Sequence, residues 1–204
     1  PHIISHMKIR GSSIRIALVA AVVAASMEAP AQVTTNYTWQ GDAGTNWSTA
    51  GNWTNNLVAP TGGIFSARLN VTNRQNSALY YTEAQGYTHY SNVSERGFTV
   101  GNGASGTLII QGGTLSTVGN AAGDVIGNGD NSTGTVIVAG GTLQGSLLDM
   151  GLGGGTRRES RLIVSNGFVG YNTVRMNSVR ALIDLNGGTL RTVQITNVGI
   201  SGTF

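Results

Sequence analysis

No cysteine occurs in the 204 residues, so no disulfide can staple the chain and no thiolate can act as nucleophile or metal ligand. Charged residues make up only 10%, and three prolines interrupt the whole length. Nothing past residue 31 shows a long helical period of apolar residues, which argues against a helical or α/β protein. Histidine is scarce as well: His2 and His6 precede the first methionine, and His89 stands alone after it. A Ser-His-Asp triad would have to be built on that one residue, and a zinc site has no ligand set. No catalytic residue, metal site or cofactor is therefore expected.

Glycine is abundant, at 31 residues, and Asn, Ser and Thr surround it. Sparse charge with plentiful turn residues suits an extended, turn-rich β architecture. The beginning of the chain has another character. Residues 1–6 lie upstream of Met7 and stand outside the fold argument. From Met7 the chain reads as a secretory signal: Lys8, Arg10 and Arg15, then the apolar run Ile16–Ala25, then Ala29-Pro30-Ala31 with small residues at the −3 and −1 positions. Cleavage is expected after Ala31. Three of the twelve basic residues and one of the nine acids precede that point, leaving nine against eight. So balanced a mature chain gives no reason to expect a nucleic-acid partner. The local cluster Arg157, Arg158 and Arg161 is expected to be a solvated turn.

The stretch Gly101–Gly106, G-N-G-A-S-G, matches a dinucleotide-binding fingerprint, but its context is wrong. A strand-like run, Thr107-Leu108-Ile109-Ile110, comes next where a helix would be needed. The same stretch also recurs. SGTLIIQGGTL (105–115) is followed by TGTVIVAGGTL (133–143), ESRLIVSNGFV (159–169) and ALIDLNGGTL (181–190). The second position of the glycine doublet falls at Gly113, Gly141, Gly167 and Gly188, at spacings of 28, 26 and 21 residues. Self-similarity at 20–50 residues signals stacked repeats. The expected fold is an all-β parallel β-helix, or solenoid, of about four repeats over 96–204, preceded by a β cap over 32–95. The final residues, 198–204, resemble the start of a fifth repeat.

The repeats also assign faces, because side chains alternate along a strand. The columns Leu108/Val136/Leu162/Ile183 and Ile110/Val138/Val164/Leu185 should point inward, joined after the corner by Leu115/Leu143/Val169/Leu190. Between the first two lies Ile109/Ile137/Ile163/Asp184, and an unpaired aspartate does not belong in an apolar core. Ile109, Ile137 and Ile163 should therefore form an outward stripe, available as a contact surface. The acids Glu95, Asp124, Asp130, Asp149, Glu159 and Asp184 share no column, so the stacked acids of a polysaccharide lyase or hydrolase are missing.

All three tryptophans, Trp39, Trp47 and Trp53, lie in the cap segment. They either cover the first repeat or offer sugar-stacking faces. The G-T-L-x-I-x-G-G-T-L pattern resembles the autotransporter-associated β-strand repeat of bacterial surface proteins. The W-x-G, N-W-S, G-N-W and A-P motifs over 37–60 are similar to the segment that often precedes such repeats. That resemblance implies that the solenoid is right-handed, and with it export, surface display at the outer membrane or release, and an adhesive or structural role. It implies glycans or other surface proteins as partners, and membrane contact only through the signal or a C-terminal translocator or anchor. Two other readings stay open: the front part of a β-helix polysaccharide-active enzyme, and a carbohydrate-binding module centred on the tryptophans.

Overall fold

A computed structural model describes residues 35–60, 63–65, 67–72, 78–81, 88–90, 97–118, 122–153 and 158–197. The expected signal at 7–31, Glu95, Arg157 and the fifth-repeat resemblance at 198–204 lie outside the described residues. Those described fall within one compact unit, Gln32–Phe204.

The chain forms strands almost throughout, in the order β1 (Thr35–Trp39), β2 (Gly63–Phe65), β3 (Ala67–Val71), β4 (Leu79–Tyr81), β5 (Thr88–Tyr90), β6 (Phe98–Asn102), β7 (Ser105–Ile110), β8 (Thr114–Thr117), β9 (Asp124–Asn128), β10 (Thr133–Val138), β11 (Thr142–Leu152), β12 (Glu159–Val164), β13 (Phe168–Met176), β14 (Ala181–Leu185) and β15 (Thr189–Asn197). Two single 3₁₀ turns, Ala50–Asn52 and Thr54–Asn56, are the only helical elements among the described residues. The fold is thus all-β. One sheet runs β14-β12-β10-β7-β4. The other has ten strands, runs β1-β3-β6-β9-β11-β8-β5-β2, and carries β13 and β15 beyond β11. Every strand-to-strand pairing is parallel. The β11 strand is long because it does two jobs. Its first half pairs with β8 and its second half with β9.

The expected register is the observed one. Leu108, Val136, Leu162 and Ile183 pair in sequence along the five-stranded sheet, as do Ile110, Val138, Val164 and Leu185. The first three members of each column are fully buried, and so are Leu115, Leu143 and Val169. Each such side chain contributes about 1.5–3 kcal/mol by leaving water. The fourth members differ. Leu185 is 53% exposed and Ile183 and Leu190 are half-buried, because β14 and β15 are the last strands of their sheets among the described residues.

Described strands of the segment 32–95 pair with strands of the repeats. Strand β3 pairs in register with β6, β4 with β7, and β5 with β8. Parallel pairing simply continues across the boundary expected at residue 95. Sequence similarity fades there because pairing needs only alternating apolar positions, while the glycine doublet belongs to the later corners.

The G-N-G-A-S-G stretch takes in the end of β6, the turn at Gly103-Ala104 and the start of β7. Gly101 (φ +74°) and Gly103 (φ +66°) take left-handed backbone that favours glycine. Gly106 is needed for a different reason. A Cβ there would stand 2.2 Å from the Val71 carbonyl oxygen and 2.4 Å from the Gly101 nitrogen. Both are backbone atoms that cannot swing away. Gly106→Ala should therefore cost about 1–3 kcal/mol, as overpacking does. Gly103→Ala meets no atom within 4 Å and should cost only about 1 kcal/mol for its positive φ. Urea midpoints of the two variants check this; equal losses would contradict the close-contact explanation.

Candidate functional site

The three tryptophans are interior residues. Trp39 is 0% exposed, and Trp47 and Trp53 are each 2% exposed. Trp53 meets Trp39 edge-on at 5.4 Å and Trp47 at 5.1 Å, and Trp47 meets Tyr81 at 5.3 Å. The indole N–H of Trp47 donates to the Ala59 carbonyl at 2.7 Å, and that of Trp53 donates to the Trp47 carbonyl at 2.6 Å. Asn52 is buried among them. Its amide donates to the Asn46 carbonyl and its Oδ1 accepts from the Ala43 N–H. The N-W-S and G-N-W motifs thus encode a cap folded by aromatic edges and one asparagine. No ring face is left for a sugar, which corrects the stacking-platform expectation for Trp39, Trp47 and Trp53. A tryptophan large enough to bind a pyranose is also the largest side chain available to close a core.

Ile109, Ile137 and Ile163 lie side by side in register, flanked by Tyr80 and Asp184. All three are half-buried, unlike the fully buried residues on either side of each. The stripe is therefore a partly accessible ridge.

Arg158 departs from expectation. It is only 9% exposed, and its guanidinium donates to the Gly151 carbonyl at 2.8 Å, while its own carbonyl accepts from the Ser178 hydroxyl. At Arg158 the expectation of a solvated turn fails, because this side chain ties the residue before β12 back to β11. Arg161 is exposed, as a solvated residue should be.

A surface groove of about 370 Å³ opens where β11, β13 and β15 lie side by side. Glycine makes it. In the register Ser116–Gln144–Gly170–Arg191, Gly170 has no side chain, and the Phe168 ring lies along the vacated space, 2.8 Å from where a Cβ would be. Gln144 reaches the Ser116 hydroxyl at 3.2 Å. Arg191 and Asn172 are exposed on the rim, and among the described residues Arg191 has no carboxylate partner.

Behind the groove floor lies a polar cluster that sequence reasoning did not assemble. Asp124 is 1% exposed and sits in register with Leu148, on the inward face. Its carboxyl contacts the Thr117 hydroxyl, the Tyr171 hydroxyl at 2.8 Å and the Phe98 N–H at 3.0 Å. Burial pushes the Asp124 carboxyl up to about 7, against the opposing pull of those three hydrogen bonds, and the nearby charge of Asp149 adds to the rise. Burial likewise pushes the Tyr171 phenol well above its usual range, so it remains a donor. Asp149 is handled differently. Arg175 grips it with two hydrogen bonds of 2.6 Å and Asn177 adds a third at 2.9 Å. Gly145 stands in register between Thr117 and Tyr171, which leaves room for the cluster.

Asp124, Asp149, Glu159 and Asp184 occupy different registers, and no three metal-ligating side chains converge among the described residues. No helix among them is long and apolar enough to cross a membrane. Fold and surfaces together define an all-β protein of parallel sheets built on repeats. Neither a protein-family model, nor a curated protein, nor a solved structure matches the chain.

Proposed function

We propose that this chain is an exported bacterial β-solenoid with an adhesive or structural role, non-catalytic in the region described. On this reading the two sheets are faces of one right-handed parallel β-helix, delivered to the cell surface or beyond by the signal at residues 7–31. The observation that carries it is the parallel, in-register pairing of the same repeat position through β4, β7, β10, β12 and β14. Such a spine commits nearly every inward residue to stacking and leaves function to its outer surfaces. The family resemblance of the G-T-L-x-I-x-G-G-T-L pattern supports the same reading.

Two outer surfaces suit adhesion. The groove beside Phe168 combines an aromatic ring, the amides of Gln144 and Asn172, and the exposed guanidinium of Arg191, a set that fits acidic glycans. The stripe Ile109/Ile137/Ile163 is apolar and fits another protein surface. A glycan array and a cell-binding assay on the exported protein test both together. Phe168→Ala with Arg191→Ala should lower glycan binding by about ten-fold or more, the equivalent of roughly 1.4 kcal/mol. Ile109→Thr, Ile137→Thr and Ile163→Thr combined keep β-branching and should lower cell or self-association instead. If the folded wild-type protein binds neither glycans, cells nor itself, the adhesive role is wrong.

A further inference from the structure

The contacts around Asp124 contain one hydroxyl with two acceptors in reach. The Thr117 hydroxyl oxygen touches Asp124 Oδ2 and also lies 3.1 Å from the Gln144 carbonyl oxygen. A threonine hydroxyl has a single proton to donate. If Asp124 is a carboxylate, that proton goes to Oδ2, and the approach to Gln144 holds no hydrogen. If Asp124 carries a proton on Oδ2, that O–H donates to Thr117, and Thr117 donates onward to Gln144. Tyr171 still donates to Oδ2, and the Phe98 N–H still donates to Oδ1. Every contact is then a hydrogen bond.

The surroundings are shaped for this cluster. A Cβ at Gly145 would stand 2.5 Å from the Thr117 hydroxyl, 2.5 Å from a Tyr171 ring carbon and 2.8 Å from Asp124 Oδ2. A Cβ at Gly97 would stand 2.6 Å from the Thr117 methyl and 2.7 Å from Asp124 Oδ1. Both sides are thus closed by backbone at van der Waals range. The cluster also joins β6, β8, β9, β11 and β13, strands drawn from successive repeats.

We propose that Asp124, Thr117 and Tyr171 form a proton-binding clasp that tightens these repeats when Asp124 is protonated and loosens them when it is charged. The proton comes from solvent, and the only bond made is the carboxyl O–H. The titratable and charged groups around it among the described residues are Tyr171, which stays protonated, and Asp149, whose charge is held by Arg175. Phe98 and Leu148, from the strands on either side, bring no charge.

The sign comes from linkage. In the unfolded chain an aspartate titrates near 3.8, and in the folded chain Asp124 titrates near 7. Between those values the folded state holds the extra proton, so resistance to unfolding is full below about pH 4, falls as pH rises, and levels off above about pH 7. From pH 5 to pH 8 the folding equilibrium constant should fall on the order of a hundred-fold from this group.

The test is urea unfolding of the whole chain at pH 5 and pH 8, with Asp124→Asn beside wild type. Asparagine cannot ionise; its amide can donate to Thr117 and its oxygen keeps the Phe98 N–H, while the Tyr171 hydroxyl loses its acceptor. The variant should lose the hundred-fold pH dependence. An equal pH dependence in both proteins would overturn the clasp. Should Asp124→Asn fail to fold, a carboxyl carbon NMR titration of wild type decides: a midpoint above about 5 supports the clasp, and one at or below about 5 rejects it.

Discussion

Leu162→Asp should abolish the folded state, while Ile163→Lys, one residue on, should leave it intact. Leu162 is fully buried, between Val136 and Ile183 in register on neighbouring strands. A carboxylate placed there has no partner among those apolar neighbours and cannot reach water. Such a burial costs upwards of about 4–5 kcal/mol, against about 5–15 kcal/mol for the stability of a typical domain. The loss spreads, because β12 holds β10 and β14 on its two sides. Ile163 points the other way and is half-buried. Its register neighbour Asp184 would face the new ammonium, a cross-strand pair worth about 0.2–1 kcal/mol. Circular dichroism and urea midpoints measure both variants. Comparable damage from the two would mean that the face assignment of β12 is wrong.

Trp47→Ala should cost about 3–5 kcal/mol, the usual range for deleting a buried aromatic. The substitution removes ring contacts with Trp53 and Tyr81 and leaves the Ala59 carbonyl without its indole donor. Trp47→Phe keeps part of the packing but not the donor, and should fall between alanine and wild type. Thermal melting of the three proteins gives the order. The same experiment separates a cap from a sugar platform. An exposed stacking tryptophan would lose ligand binding with a stability change within about 0.5 kcal/mol, whereas a 2% exposed one loses the fold around it.

The repeat columns were legible because period-two alternation and a recurring glycine doublet are local signals. Asp184 in an otherwise isoleucine column was enough to assign inside and outside for β7, β10 and β12, since an unpaired acid is excluded from a core. The G-N-G-A-S-G turn was legible for a similar reason: it leads directly into the β-branched, apolar run of β7 and not into a helix. Arg158 and Asp124 were not legible. Their neighbours arise from register between strands 7 to 47 residues apart, as with Thr117 and Tyr171 around Asp124. No spacing along the chain announces such a meeting. The tryptophans were ambiguous because composition alone does not say whether a large ring closes a core or faces solvent.

Sequence by itself determined that the chain is all-β, which residues alternate inward, and where glycine must turn the backbone, since each depends on a residue and its near neighbours. Tertiary structure alone decided that Trp39, Trp47 and Trp53 are interior, that parallel pairing runs back to β1, and that an aspartate is buried among Thr117, Tyr171 and the Phe98 amide. Those outcomes depend on which strands lie next to one another, and a parallel sheet brings together residues a full repeat or more apart.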